Sequence, residues 1–127
     1  MTNCLYAMQN LLAITRALND ESRLRMLAAL GEGELCLCQL VEFAGLAPST
    51  VSKHVTLLYE AGLLERRKQG KWHYYRLAGR GASPTVREAL RWVRRSLEGE
   101  SAVLADLDAL CCVKAKDLEE VTSCYRS

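Results

Sequence analysis

The stretch that decides the fold is "STVSKHVTLLYEAGLLERRKQGKWHYYRL", residues 49–77. Its first half has the period of an amphipathic helix, because Val51, Val55 and Leu58 fall on one face and polar side chains fall on the other. After this helix the period changes, and two short runs rich in aromatic and basic residues flank "QGK". Gly70 can take the positive φ angle that a tight hairpin turn requires. The stretch therefore predicts a helix followed by a basic β-hairpin.

A second, shorter helix is predicted directly before this stretch, in "LCQLVEFA", residues 37–44. Its apolar side chains recur at i, i+3, i+4 and i+7, and Gly45 ends it. Pro48 suits the first turn of the next helix, because the N–H that proline lacks has no partner there. Two short helices joined by a tight turn, the second with a polar outer face, form a helix-turn-helix. With the hairpin that follows, the pattern predicts a winged helix-turn-helix.

Helical periods also flank this unit. Apolar residues recur at helical spacing over residues 5–18, and a further helix is predicted over residues 21–30, with Asn19 or Asp20 as its N-terminal cap. Apolar stripes after the hairpin bury either a core face or a partner helix. The sequence therefore predicts a mostly α fold with one small β-hairpin.

The domain is expected to span residues 1–110, and residues 111–127 are expected to form a cysteine-containing C-terminal tail. The 127 residues carry a formal net charge of +2, and 50% are hydrophobic, which suits one domain with one core. Between Pro48 and Arg80, seven Lys or Arg residues stand against two acidic ones. This local basic patch indicates an anionic partner, nucleic acid first, although a solvated charged face is the alternative.

Six cysteines stand in a chain that lacks the marks of secretion. The N-terminus has neither the basic region nor the cleavage site of a signal peptide, and no apolar run reaches the roughly 18 residues of a membrane span. We therefore expect a cytoplasmic protein with no membrane partner. In a reducing cytosol, six cysteines favour metal, metalloid or redox chemistry over structural disulfides.

Three stretches together resemble the ArsR/SmtB family of metal-sensing transcriptional repressors: "LNDESRLRML", "ELCLCQL" and residues 49–77. The resemblance covers roughly residues 10–97, and its "ELC-x-C" element resembles the branch that senses arsenite and related soft ions. It implies a winged-helix homodimer that binds operator DNA and leaves it when an inducer binds. It also implies that the first helix and the helix after the wing make the dimer contacts.

Polar and basic residues form the surface that we expect to contact double-stranded operator DNA. These are Ser49, Thr50, Ser52, Lys53, His54 and Thr56 on the recognition helix and Arg66, Arg67, Lys68 and Lys71 on the wing. Such helix side chains reach phosphates and base edges, whereas wing cations add salt-dependent affinity. A homodimer would present two such helices, so we expect an operator with two-fold symmetry.

Some of these residues have alternative roles. Ser49 and Thr50 suit helix capping, and His54, at the border of the core face, suits packing between helices. The wing aromatics Trp72, Tyr74 and Tyr75 are expected to pack in the hairpin and the core rather than to stack on bases.

Cys36 and Cys38 are the first choice for an inducer site. On a regular helix, residues two apart point about 200° away from each other, so one thiol of a core pair would be exposed. If the helix begins at Leu37, Cys36 is its N-cap and the sulfurs come closer. A helix N-terminus favours thiolate, and thiolates select soft ions such as As(III), Sb(III), Cd(II) and Pb(II). Core packing, a disulfide and a thiol enzyme are the competing interpretations, and the last lacks a nearby base.

The third ligand is an open question at this stage. Close relatives in the family carry a further cysteine three residues beyond the second one, where this chain has Val41. Cys4 of the other subunit could replace it, by resemblance to cadmium and lead sensors. Cys111 and Cys112 with Cys124 could instead form a separate trithiolate site, although Cys111 also continues an apolar stripe.

The sequence thus predicts a non-enzymatic repressor of an arsenic-resistance operon, released from DNA when As(III) or Sb(III) binds cysteine thiolates. The absence of histidine near the pair favours a pyramidal trithiolate ion such as As(III) over tetrahedral zinc. The alternatives are a Cd(II)- or Pb(II)-responsive repressor of the same fold and a thiol redox or persulfide switch.

Overall fold

Six helices and three strands make up the part of the chain that the computed structural model describes, residues 4–116, with side chains from residue 7 onward. In chain order they are α1 (Cys4–Leu18), α2 (Glu21–Leu30), β1 (Leu35–Cys36), α3 (Leu37–Ala44), α4 (Pro48–Glu60), β2 (Leu64–Gln69), β3 (Trp72–Leu77), α5 (Pro84–Leu97) and α6 (Ser101–Ala115). Helices α3 and α4 form the helix-turn-helix, and β2 and β3 form the wing. The predicted winged helix-turn-helix is therefore confirmed.

Local sequence signals place the ends of these elements. The Asp20 side chain accepts a hydrogen bond from the backbone N–H of Arg23 at 3.1 Å, so the predicted cap of α2 is confirmed at Asp20. Gly45 ends α3 in the left-handed conformation, with φ of 66°. Gly70 turns the hairpin with φ of 62°, a conformation that a residue with a Cβ rarely adopts.

The sheet contains a short strand that the sequence did not reveal. Strand order is β1-β3-β2, and both pairings are antiparallel. In β1, Leu35 lies opposite Tyr75 and Cys36 lies opposite Tyr74. A strand of two residues is too short to show a period, so the pattern could not predict it. Its consequence is that the backbone just before α3 is hydrogen-bonded to the wing.

The core lies between the helices and the inner face of the wing. Its largest fully buried side chains include Met26, Leu35, Leu40, Leu58 and Leu63, which come from α2, the sheet, α3, α4 and the segment that follows α4. Burying each stabilises the fold by roughly 1.5–3 kcal/mol before the loss of chain entropy is counted. The apolar face predicted for α4 is thus the buried one, which leaves its polar face in solvent.

Helix α6 continues further than the sequence suggested. It ends at Ala115, and Leu110 and Val113 are buried on its inner face. The boundary predicted between residues 110 and 111 therefore falls inside a helix, because two buried side chains hold the last turns of α6 against the domain. Cys111 and Cys112 lie on this helix rather than in a tail.

Helices α1 and α5 expose large apolar side chains to water, and α6 exposes Leu104. On α1, Met8, Leu11 and Leu12 are 61%, 51% and 56% exposed, and on α5, Trp92 is 64% exposed. These are the two helices for which the family resemblance implies dimer contacts. Among the described residues, no helix is long and apolar enough to cross a membrane.

Candidate functional site

The outer face of α4 presents the polar residues that the sequence assigned to DNA. Ser49, Thr50, Ser52, Lys53 and Thr56 are all exposed. The N-cap of α4 is Ala47, so Ser49 and Thr50 lie in the first turn and do not occupy the cap position. Their side chains are therefore available to a ligand on this face.

His54 packs between helices, as one of its two predicted roles required. Its Nδ1 atom lies 2.9 Å from a terminal guanidinium nitrogen of Arg23. Because a guanidinium only donates, Nδ1 of His54 accepts this bond and its Nε2 atom carries the ring proton. The Arg23 side chain also donates to the carbonyl oxygens of Ala17 and Arg16 at 2.7 and 3.2 Å. Arg23 thus joins the C-terminal end of α1 to the recognition helix.

Three of the four predicted wing cations contact other side chains of the protein. Arg67 binds both carboxylate oxygens of Glu34 at 2.7 and 2.8 Å and lies over the Tyr74 ring at 4.5 Å. The Arg67 hydrogen bond holds the pKa of Glu34 below its usual range. Arg66 lies over the Tyr59 ring at 4.1 Å, and Lys71 lies over the Trp72 ring at 5.0 Å.

Two predicted DNA contacts have no such partner. Lys53 on α4 and Lys68 on the wing are exposed, and neither has an ion pair or ring contact within residues 7–116. Such an exposed ammonium breaks no ion pair with the described residues when it binds a phosphate, so the binding has a low free-energy cost. Lys53 and Lys68 are therefore the predicted DNA-binding residues whose charges are most accessible to a phosphate.

The two thiols at the start of α3 lie together and are buried. Helix α3 begins at Leu37, and Cys36 is its N-cap with φ and ψ of −75° and 152°. The Sγ atoms of Cys36 and Cys38 are 3.0 Å apart, and the residues are 1% and 2% exposed. Both side chains can be buried because Cys36 stands outside the helix. The separation is longer than the roughly 2.05 Å of a disulfide, so both residues are thiols.

Aromatic side chains of the wing enclose this pair. Trp72 and Tyr74, both half-buried, pack against Cys36 and Cys38. The predicted packing role of the wing aromatics is thus observed, and Tyr75 lies in the main core. No periodicity could have predicted this contact, because it depends on the pairing of β1 with β3.

Among the side chains that the structure describes, no third ligand completes a metal site with the pair. Within the side chains of residues 7–116, no three His, Cys, Asp or Glu residues are placed to hold a metal ion. Val41 belongs to the core, and Cys111 and Cys112 are exposed on α6. The side chain of Cys4 and all of Cys124 lie outside the described residues.

A helix-turn-helix with a cationic wing and an exposed polar recognition face defines a winged-helix DNA-binding protein. The family described as "Bacterial regulatory protein, arsR family" matches residues 20–66. The chain belongs to this family, the ArsR family of transcriptional regulators, whose members are regulators and not enzymes.

Named relatives share the segment that carries the helix-turn-helix. The chain is 37% identical over 87 residues to the arsenic resistance transcriptional regulator ArsR1 of Pseudomonas putida, covering 68% of this chain and 62% of that protein. It is 47% identical over 64 residues to the arsenical resistance operon repressor of Escherichia coli, covering 50% and 55%. It is 34% identical over 77 residues to a cadmium resistance regulator, a CadC homologue of Staphylococcus aureus, covering 60% and 64%. The chain therefore spans less than two thirds of each of these relatives.

Solved structures share the fold. A crystal structure of a possible transcriptional regulatory protein of Mycobacterium bovis is 26% identical, with a TM-score of 0.63, and the match covers 73% of this chain and 96% of that one. A solution structure of a homodimeric winged helix-turn-helix domain from the same organism is 24% identical, with a TM-score of 0.64, covering 79% and 89%.

Proposed function

We propose that this protein represses an arsenic-resistance operon and leaves its operator when As(III) or Sb(III) binds the thiolates of Cys36 and Cys38. The observation that carries the proposal is the buried pair of sulfurs, 3.0 Å apart, at the first residues of the helix-turn-helix. The relatives named as arsenical resistance repressors support the choice of inducer.

The donor set fits a soft, low-coordinate ion. Two thiolates select such ions, whereas a structural zinc site takes four N or S ligands, which the described residues do not assemble here. With thiolate bonds of about 2.3 Å, a tetrahedral ion would hold two sulfurs about 3.8 Å apart. The observed separation of 3.0 Å is shorter than that, and also shorter than the roughly 3.4 Å of a pyramidal ion with bond angles near 95°. Either ion moves the sulfurs apart, and the pyramidal ion requires the smaller movement.

Inducer binding is coupled to DNA through the two elements that meet at the pair. An ion that binds both sulfurs moves them apart, and the proposed coupling passes this movement to the N-terminus of α3 and to the strand β1, which carry the two residues. Helix α3 packs against the recognition helix α4, and β1 is paired with β3 of the wing. Release requires tighter binding of the ion to the form that does not bind DNA, and such couplings are typically about 1–3 kcal/mol.

The DNA-bound form is proposed to be a homodimer that acts in the cytoplasm, where the operator is. Two recognition helices about 34 Å apart would reach successive major grooves of a two-fold symmetric site. The exposed apolar side chains of α1 and α5 support this assembly, because a second copy can cover them. Ser49, Thr50, Ser52 and Thr56 then face base edges or phosphates.

Operator release in matched cysteine variants tests the proposal. Fluorescence anisotropy of labelled operator DNA is followed while arsenite is added to the wild-type protein, to Cys36→Ser/Cys38→Ser and to Cys111→Ser/Cys112→Ser. We expect the first double variant to keep DNA affinity and lose release, and the α6 variant to behave as wild type. Unchanged release in Cys36→Ser/Cys38→Ser would remove the pair from the mechanism, and loss of release in the α6 variant would move the site there.

A thiol redox switch is the second candidate, because the sulfurs are already near bonding distance. Hydrogen peroxide would oxidise the two thiols to a disulfide and be reduced to two waters. This candidate predicts that peroxide releases DNA without any metalloid and that a thiol reductant restores binding. In a variant of the same switch, a small-molecule persulfide, R–S–SH, transfers its outer sulfur to one cysteine thiol to form a cysteine persulfide, and R–SH leaves.

A Cd(II)- or Pb(II)-responsive repressor is the remaining alternative, which the cadmium-resistance relative supports. X-ray absorption distinguishes it, because the edge identifies the bound element and a divalent ion would show four ligands, whereas As(III) would show three.

A further inference from the structure

An arsenic atom held by Cys36 and Cys38 would carry a third substituent that points away from both sulfurs. The side chains packed against the pair would surround this substituent. The pair is buried and covered by the rings of Trp72 and Tyr74. The backbone N–H of Cys36 already donates to Oε1 of Gln39 at 2.8 Å. No third Cys, His, Asp or Glu joins the pair within residues 7–116.

Two kinds of trivalent arsenic differ in what they place there. Inorganic arsenite on two thiolates keeps one hydroxyl group, which would lose hydrogen bonds to water where it packs against the rings of Trp72 and Tyr74. A monosubstituted arsenical, R–As(OH)2, keeps a carbon substituent instead, and apolar surface gains by such burial. The aromatic rings therefore favour binding of an arsenical that carries a carbon substituent over one that carries a hydroxyl group.

We infer that the Cys36–Cys38 site takes monosubstituted trivalent arsenicals in preference to inorganic arsenite, with the organic group packed against Trp72 and Tyr74. The inference rests on the proposed function and specifies the ligand class of that same site. In the binding step two As–O bonds break and two As–S bonds form. The two thiol protons leave with the two hydroxides as water, and the oxidation state of arsenic does not change.

The binding test uses a full-length chain that retains only these two thiols. Cys4, Cys111, Cys112 and Cys124 are changed to Ser, and Trp92→Phe leaves Trp72 as the only tryptophan, a reporter beside the site. Methylarsonous acid and arsenous acid are titrated separately, with quenching of Trp72 fluorescence and intact-protein mass spectrometry as readouts. We expect a one-to-one methylarsenic adduct formed with loss of two waters, at a concentration at least about tenfold lower than arsenite requires.

Variants of Trp72 test whether packing against its ring causes that preference. Trp72→Ala should reduce the preference for the methylated ligand, and Trp72→Phe should keep most of it, with the mass-spectrometric readout used for both. Arsenite that binds as tightly as the methylated form, or a preference unchanged in Trp72→Ala, would overturn the inference.

Operator release by the chain with all six cysteines separates this inference from the function on which it rests. If arsenite releases DNA at lower concentrations than methylarsonous acid and Cys4→Ser removes that response, a third sulfur completes the site and the inference is wrong. If neither compound releases DNA, the proposed function itself fails.

Discussion

At the scale of single residues, Arg23 is the one charged side chain that is buried among the described residues. It is 9% exposed, and it donates to two carbonyl oxygens at the end of α1 and to His54 on the recognition helix. The carbonyl end of a helix is its negative pole, so a cation suits this position without a carboxylate. The sequence showed His54 at the border of the core face but gave no sign of its partner, because the two residues are 31 positions apart.

Replacing Arg23 with Met should destabilise the domain by about 2–3 kcal/mol, because buried acceptors lose a charged donor that a thioether cannot replace. The comparison is Arg91→Met, an exposed arginine on α5 that should change stability by less than about 0.5 kcal/mol. Urea unfolding at fixed protein concentration measures both. Equal stability of Arg23→Met and wild type would show that the hydrogen bonds of Arg23 do not stabilise the fold.

Glu34 should make stability depend on pH in a definite direction. Its pKa is lowered in the folded chain, mainly by the hydrogen bond from Arg67, so the folded state binds this proton less readily than the unfolded chain does. The stabilisation is then present above the ordinary carboxyl pKa and is lost as pH falls through the lowered value. The Tm of the wild type should be higher than the Tm of Glu34→Gln at neutral pH, and this difference should become smaller in acid. A difference that grows in acid would contradict the ion pair.

At the scale of elements, the thiol pair, β1 and the wing form one connected unit. The sequence predicted α3, α4 and the hairpin, because each of these has a local signal in period, glycine or proline, and it put Cys36 at the N-cap of α3 on the condition that the helix begins at Leu37, as it does. It could not predict that Cys36 pairs with Tyr74 or that Arg67 turns toward Glu34, since both interactions join distant segments. The predicted wing cations therefore differ in role: Arg67 fastens the wing to the segment before Cys36, while Lys68 remains available to DNA.

Lys68→Gln should lower the salt dependence of operator binding. If Lys68 neutralises one phosphate per protomer, the slope of log K against log salt concentration becomes shallower by about 0.9 for each phosphate that is no longer neutralised. Arg91→Gln on α5, outside the recognition helix and the wing, serves as the charge-matched control and should leave the slope unchanged. Anisotropy titrations at several salt concentrations measure the slope. A slope that is the same in Lys68→Gln and wild type would place Lys68 off the DNA.

At the scale of the whole molecule, the exposed apolar face of α1 and α5 is the feature that a single chain leaves unexplained. Met8, Leu11 and Leu12 recur at i, i+3 and i+4 on α1, while Ile14 and Ala17 of the same helix are buried in the core. The helix thus has two apolar faces, and within the described residues only one of them is buried. The sequence alone showed the apolar residues but not which face remains open, because that depends on how α1 packs.

Leu12→Glu should therefore convert the proposed homodimer to a monomer, since it places a carboxylate in the apolar patch, where burial without a partner is costly. Leu104→Glu is the matched control: Leu104 is similarly exposed, at 53%, but it lies on α6, for which the resemblance implies no dimer contact, so the dimer should persist. Sedimentation velocity reports the mass of each variant, and circular dichroism verifies that both remain helical. Operator affinity should fall in Leu12→Glu alone, because one recognition helix then meets one half-site without the second. A dimeric Leu12→Glu would instead require that the copies meet through another face, and the same two measurements on a Trp92→Glu variant would then decide whether α5 contributes to it.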